Sequence, residues 1–329
     1  MGRYRPSEWP PVREGAAAQA VPVLEIGGTH VTAALVHEAR VSQVTRAGLD
    51  PHGTADSIVD ALARAAEALE APMDAHWVVA VPGPFDYATG VGRFERVGKF
   101  EALNGYSLLT ALAQRLSPRP RAISFINDAQ AYGLGEWWAS AQRPARLLCI
   151  TLGTGVGSAF IEHGRPVASG AEVPTLGEVH RLRWHGHDLE DLVSRRAIIR
   201  NYRKATGREL DVLQISRLAR SGDTPAITVL SEAMHRLGTI LAPWVERFGP
   251  DVIVVGGSMS QSWDLLCEPF VSGLGPSVSQ IDVRASVLLD EAPLLGAARW
   301  LSDELLTRTP PLKRTEAGAQ NPALTKGNA

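Results

Sequence analysis

The sequence predicts an α/β fold of two similar lobes facing a cleft, and three features carry that expectation. Short apolar runs alternate with amphipathic helical stretches through the middle of the chain. A length of 329 residues is enough for two cores. A faint internal repeat is the third. Val21 to Ile26 is an apolar run with one acid, followed by Gly27-Gly28-Thr29 and a second run, Val31 to Val36. Leu147 to Leu152 is followed by Gly153-Thr154-Gly155-Val156-Gly157 and then Ala159 to Ile161. Each reads as a strand, a glycine turn and a returning strand, opening one half of the core. Two unrelated hairpins would give the same pattern, so the repeat alone leaves both readings open.

The remaining elements follow in order. Pro51 to Glu70 reads as a helix with Ile58, Leu62, Ala65 and Leu69 on one face, and Trp77 to Val81 as a strand ending at Pro82-Gly83-Pro84. Leu108 to Leu116 reads as helix, Ile123 to Ile126 as strand and Ala129 to Ala139 as helix. Ile227 to Phe248 is a long helix that Pro243 is expected to interrupt. Asp251 to Val255 is a buried strand running into Gly256-Gly257-Ser258 with a helix after it, and Pro293 to Leu305 is the final helix. Residues 1–19 and 308–329 lack periodicity and read as disordered tails. The first lobe is expected over 20–125, joined by a helix at 293–306, and the second over 126–292.

Composition narrows the partners. Hydrophobic residues make up 45% and charged residues 21%, with a net charge of −2, which points to neither nucleic acid nor an anionic membrane. Cys149 and Cys267, the only cysteines, lie in apolar runs, so neither a disulfide framework nor a cysteine-based zinc site is expected. A reducing cytoplasm fits, as does the lack of a signal peptide or an apolar run of spanning length.

The glycine turns carry the chemistry. Backbone N–H groups in a tight glycine turn can hold a triphosphate, since glycine permits both the backbone angles and the close approach. Gly27-Gly28-Thr29 and Thr151 to Gly155 suit this from opposite sides of a cleft. Glu25, at the end of its strand, could hold a water of a magnesium shell. There is no Gly-x-x-x-x-Gly-Lys-Ser/Thr loop, and Gly153-x-Gly155-x-Gly157 opens a strand where a dinucleotide fingerprint would open a helix. Asp128 stands where a buried strand meets a helix, at the crevice edge of an α/β sheet. There it could take a proton from an attacking hydroxyl, while Asn127 caps the helix; a cap alone is the plainer reading. Glu178, His180, Glu190 and Asp191 could bind a polyol or form a solvated loop. His180, His185 and His187 raise the question of a metal.

Taken in order, Glu25-Ile-Gly-Gly-Thr, Val81-Pro-Gly-Pro, Asn127-Asp-Ala, Leu152-Gly-Thr-Gly-Val-Gly, Gly177-Glu, Leu189-Glu-x-x-x-Ser194, Val255-Gly-Gly-Ser and Leu295-Gly-Ala-Ala resemble the ROK (repressor, ORF, kinase) sugar kinases, over roughly residues 20 to 305. The resemblance implies the ribonuclease-H-like, actin/hexokinase ATPase fold with a central nucleotide cleft, an ATP- and Mg²⁺-dependent transfer to a sugar hydroxyl, and a homodimer. It makes Asp128 the catalytic base, and Asn127, Asp128, Glu178, His180, Glu190 and Lys99 the acceptor contacts. Lys99 enters because Gly98 to Leu103 is similar to a substrate-side loop. Gly27, Gly28, Thr29, Thr151, Gly153, Thr154 and Gly155 would line the phosphates, with Gly256 and Gly257 near the adenosine.

The sequence departs from the family pattern at four places. Glu25 stands where Asp is usual and His30 where Lys is common. Glu178-Val179-His180 is one residue shorter than Glu-x-Gly-His, and the zinc-binding cysteine loop is absent. These changes imply a reshaped acceptor pocket, for a hexose or for a C7-cyclitol of the valiolone type as used in aminocyclitol biosynthesis. The alternative is a degenerate relative acting as a sugar sensor or scaffold. A DNA-binding repressor is disfavoured by the short stretch before Val21.

Overall fold

The computed structural model describes residues 20–308; the expected tails lie outside the described residues, apart from Arg308, which ends the last helix. In the first half, β1 (Val21–Ile26), β2 (His30–His37) and β3 (Arg40–Gly48) form an antiparallel meander. Then come α1 (Ala55–Glu67), β4 (His76–Val81), the small hairpin β5 (Phe85–Asp86) and β6 (Val91–Gly92), α2 (Leu108–Arg115), β7 (Ala122–Asn127) and α3 (Asp128–Ala139). In the second, β8 (Arg146–Leu152), β9 (Val156–Glu162) and β10 (Arg165–Val167) form the meander. A hairpin follows, β11 (Arg183–Trp184) with β12 (His187–Asp188), then α4 (Leu189–Val193), α5 (Arg195–Thr206), α6 (Val212–Arg220) and α7 (Thr224–Phe248). The half closes with β13 (Val252–Gly256), α8 (Trp263–Leu274), β14 (Asp282–Ala285) and α9 (Ala292–Arg308).

The internal repeat is real. The two five-stranded sheets run β3-β2-β1-β4-β7 and β10-β9-β8-β13-β14, so each places its meander and its two parallel strands in the same order. Parallel strands need crossover helices, which cover the outer faces. The outer face of the first sheet packs on α1 and α2 through Leu62, Trp77 and Leu112, and that of the second packs on α4–α8 through Phe160, Leu237 and Phe270. Between the sheets lie α3 and α9, which meet Val23, Val78 and Ile126 on one side and Leu147, Cys149 and Val254 on the other. The two helices touch through glycine. A Cβ on Gly135 would fall 2.0 Å from the Ala292 carbonyl oxygen, and one on Gly296 would fall 1.8 Å from that of Ala131.

Several boundaries differ from expectation. Helix α1 begins after Thr54, whose hydroxyl accepts from Ser57 N–H, because Asp50 to Gly53 close a turn first. Pro243 does not interrupt α7, where buried Ile240, Leu241 and Val245 hold the helix across the missing donor. β7 belongs to the first sheet as far as Asn127. Among the described residues no helix is long and apolar enough to cross a membrane.

Candidate active site

The strand ends of both sheets converge on one crevice. On the first side, Gly27 N–H donates to the His30 carbonyl at 2.9 Å, Leu49 N–H donates to that of Thr29 at 2.9 Å, and the His30 ring folds back over Gly27. On the second side, Gly153 N–H donates to the Gly155 carbonyl at 3.0 Å, and Arg195 N–H donates to that of Gly153 at 3.2 Å. The turns face each other across a gap. A Cβ on Gly28 would lie 3.8 Å from Thr154 Oγ1 and 3.3 Å from Lys99 Nζ.

Gly256 and Gly257 lie beside the second turn. A Cβ on Gly257, at φ +80°, would fall 2.5 Å from the Leu152 carbonyl oxygen, and one on Gly256 would meet the Tyr132 ring at the same distance. Ser258 Oγ approaches Gly153. This end of the crevice is glycine-lined because backbone packs directly on backbone and ring.

At the end of β7, Asn127 Oδ1 caps α3 by accepting from Gln130 N–H at 3.1 Å, while its amide donates to Tyr87 Oη at 2.9 Å. Tyr87 in turn donates to the Val81 carbonyl at 3.2 Å. Asp128 Oδ1 accepts from its neighbour's N–H, that of Ala129, at 2.8 Å. Burial pushes the Asp128 carboxyl above its usual range. Glu25, paired in register with Thr32, is pushed up to about 7 by burial first and by the Asp128 charge second, with the Thr32 hydroxyl opposing.

The side of the crevice that faces Gly83 is built by the 175–181 segment. Ser158 Oγ donates to the Gly177 carbonyl at 2.5 Å and accepts from Val179 N–H at 3.0 Å, which fixes the segment on β9. Glu178 then points at the first half, its Oε1 3.9 Å from where a Gly83 Cβ would be, with Tyr87 and Asn127 beside the same point. Arg181 Nε lies 2.5 Å from Glu178 Oε2, charge beside charge without hydrogen-bond alignment, and His180 Nε2 lies 3.8 Å from it. The shortened Glu-x-His spacing thus still brings His180 to Glu178, through a single 3₁₀ turn at Val179–Arg181. Residues 183–188 are the β11–β12 hairpin, and among the described residues no group of three or more His, Cys, Asp or Glu side chains could hold a metal.

Glu190 and Lys99 sit elsewhere in the crevice. Glu190 Oε2 accepts from Val156 N–H at 3.1 Å and fills the space beside Gly155, while Oε1 accepts from Arg196 at 2.8 Å. It braces the second glycine turn. Lys99 lies against the first turn, at Gly28. Gly83, Tyr87, Arg181 and Arg196 join the crevice beyond the residues expected from sequence. Only Gly83 had a signal, the Pro-Gly-Pro break after β4.

Oxygen donors set this crevice apart from a soft-metal site. The half-buried carboxylate of Glu25, repelled by Asp128 and without an ion-pair partner among the described residues, fits an oxygen-preferring cation such as magnesium.

The sequence model of the ROK family matches residues 22–304. The chain belongs to the ROK family. This ROK protein is 28% identical over 316 residues to the glucokinase of Thermotoga maritima, covering 86% of this chain and 97% of that one. Its fold matches the ROK hexokinase of Thermus thermophilus with a TM-score of 0.70, at 26% identity over 87% of this chain and 99% of that one. It also matches a ROK family glucokinase from Streptomyces griseus, solved with glucose and AMPPNP, with a TM-score of 0.70 at 25% identity over 85% and 98% of the two chains. The fold is that of the actin-like ATPases.

Proposed function

We propose that this ROK protein is an ATP-dependent kinase that phosphorylates a primary hydroxyl of a hexose or of a C7-cyclitol of the valiolone type. It is a phosphotransferase acting on a sugar hydroxyl. The observation that carries this reading is Asp128. It is a carboxylate with no cation partner among the described residues, at the end of β7, with two glycine turns on the nucleotide side and Asn127, Glu178 and His180 on the other.

Asp128 takes the proton from the acceptor hydroxyl as that oxygen bonds the γ-phosphorus. The bond from γ-phosphorus to the bridging oxygen breaks, and its electron pair leaves with ADP. Asn127 and Glu178 orient the acceptor, with Tyr87 and Arg181 fixing their positions. Gly27 to Thr29 and Thr151 to Gly155 hold the phosphates, and Gly256 and Gly257 border the adenosine. Magnesium, when bound, neutralises charge on the phosphates, and Glu25 would hold it through water.

The test is a coupled ADP-release assay over hexoses, amino sugars and C7-cyclitols. Turnover is expected on a hexose or a cyclitol. No turnover on any member of the panel would overturn the reading in favour of a sugar-binding scaffold.

A further inference from the structure

The loop that carries Lys99 is built to hold one ammonium over the first glycine turn. Phe100 is buried against Phe94, with ring centroids 5.6 Å apart, and its N–H donates to the Pro51 carbonyl at 2.7 Å. Gly98 N–H is tied to Glu101 Oε1 at 3.0 Å. Arg96 and Phe100 both adopt left-handed backbone angles, φ 56° and 57°. Non-glycine residues reach that region at a cost, and such conformations gather where function requires a particular aim. Residues 95–98 are exposed, whereas Lys99 is half-buried and its Nζ lies 3.3 Å from the position of a Gly28 Cβ, with Thr154 Oγ1 at 3.8 Å from the same point. The side chain therefore ends in the gap between the two turns. The residues around the acceptor point at Gly83 are Tyr87, Asn127 and Glu178.

We infer that Lys99 contacts the transferring phosphoryl group and is not an acceptor-binding residue. The inference rests on the kinase reading above and assigns one further catalytic residue to it. As the acceptor oxygen bonds the γ-phosphorus and the bond to ADP breaks, negative charge spreads over the three equatorial oxygens of the group in flight. An ammonium between Gly28 and Thr154 meets those oxygens from the first half of the molecule. Arg196, held by Glu190 beside Gly155, brings a second positive charge near Lys99. Burial and the Arg196 charge hold the Lys99 ammonium below its ordinary value, with Glu190 opposing, so an anionic ligand would improve its surroundings.

The experiment compares wild type with Lys99→Met and Lys99→Arg in the presence of Mg²⁺. Calorimetry measures ADP and a non-hydrolysable ATP analogue, and steady-state kinetics separates kcat from acceptor KM. For Lys99→Met the analogue should bind about 5- to 10-fold more weakly while ADP binding stays within about twofold. On the acceptor found active, kcat should fall about 100-fold with acceptor KM changed by less than about threefold, and Lys99→Arg should recover part of kcat. Equal effects on ADP and analogue, no effect on either, or a rise in acceptor KM with kcat kept would overturn the inference. If no acceptor is turned over, the kinase reading fails by itself, and the analogue-against-ADP comparison still decides whether Lys99 senses the terminal phosphate.

Discussion

Glu25 and Asp128, at the strand ends of the first sheet, have no arginine or lysine at ion-pair distance among the described residues, whereas Glu178 and Glu190 in the second half each lie against one. Burial without a partner raises the first pair. An arginine beside a carboxylate fixes its direction. The same residue type is therefore put to two uses. The acids proposed to take up a proton or face a cation have no arginine or lysine at ion-pair distance among the described residues, and those proposed to aim at the acceptor or to brace a turn each have an arginine.

Asp128→Asn attacks the unpaired side and should have the largest effect. Turnover should fall by roughly 10²- to 10⁴-fold, with nucleotide affinity kept and melting temperature not lowered, because a half-buried charge with no ion-pair partner among the described residues is removed. Substantial activity in that variant would remove Asp128 from the mechanism.

Next in size is a pair of glycine changes that asks whether the two turns differ as described. In Gly155→Ala the new methyl would sit 2.6 Å from Glu190 Oε2, displacing it from Val156 and Arg196. Both stability and ATP KM should suffer, the latter by about tenfold, since removing a hydrogen bond to a charged group costs about 1.5–3 kcal/mol. In Gly28→Ala the methyl meets only the tip of Lys99 and Thr154, so thermal stability should hold while ATP KM rises. Equal melting temperatures for the two variants would erase the contrast.

The smallest effect concerns Glu25. Its carboxyl ionises near 7 in the folded chain and near 4.5 ordinarily, so the folded state binds the proton more tightly. Stability without nucleotide should therefore decline as pH rises from about 4.5 to 7 and then level off. Glu25→Gln should make that decline shallower, by a few degrees in melting temperature at about 2–4 °C per kcal/mol. Thermal scans across that interval check it. A decline as steep as that of wild type would mean that Glu25 is not under strain.

What could be read from the sequence was whatever rests on a local rule. The glycine turns, the strands at Val21 and Leu147 and the Asn127-Asp128 cap each announce themselves through apolar runs and turn chemistry. β3 did not, because it is an edge strand whose exposed Arg40, Ser42, Val44 and Arg46 alternate with half-buried Val41, Gln43, Thr45 and Ala47 and never form an apolar run. α5 and α6 carry their signal at their ends, where Ser194 caps one and Asp211 with Gln214 forms a capping box on the other. Tyr87 and Arg181 were out of reach of such rules. The importance of Tyr87 comes from Asn127, distant in sequence and brought near by the pairing of β4 with β7, and that of Arg181 from the direction a 3₁₀ turn gives Glu178 three residues before it.

The crossing of those two helices at Gly135 and Gly296 has a mechanical consequence. With backbone seated on backbone, and no side chain between them to slide or change rotamer, α3 and α9 behave as a single stiff beam. Asp128 is mounted on one end of that beam. Because Asn127, the residue before Asp128, is still paired with Val81 in the first sheet, a side chain forced into either glycine contact would tilt the beam and drag the proposed base off its strand end.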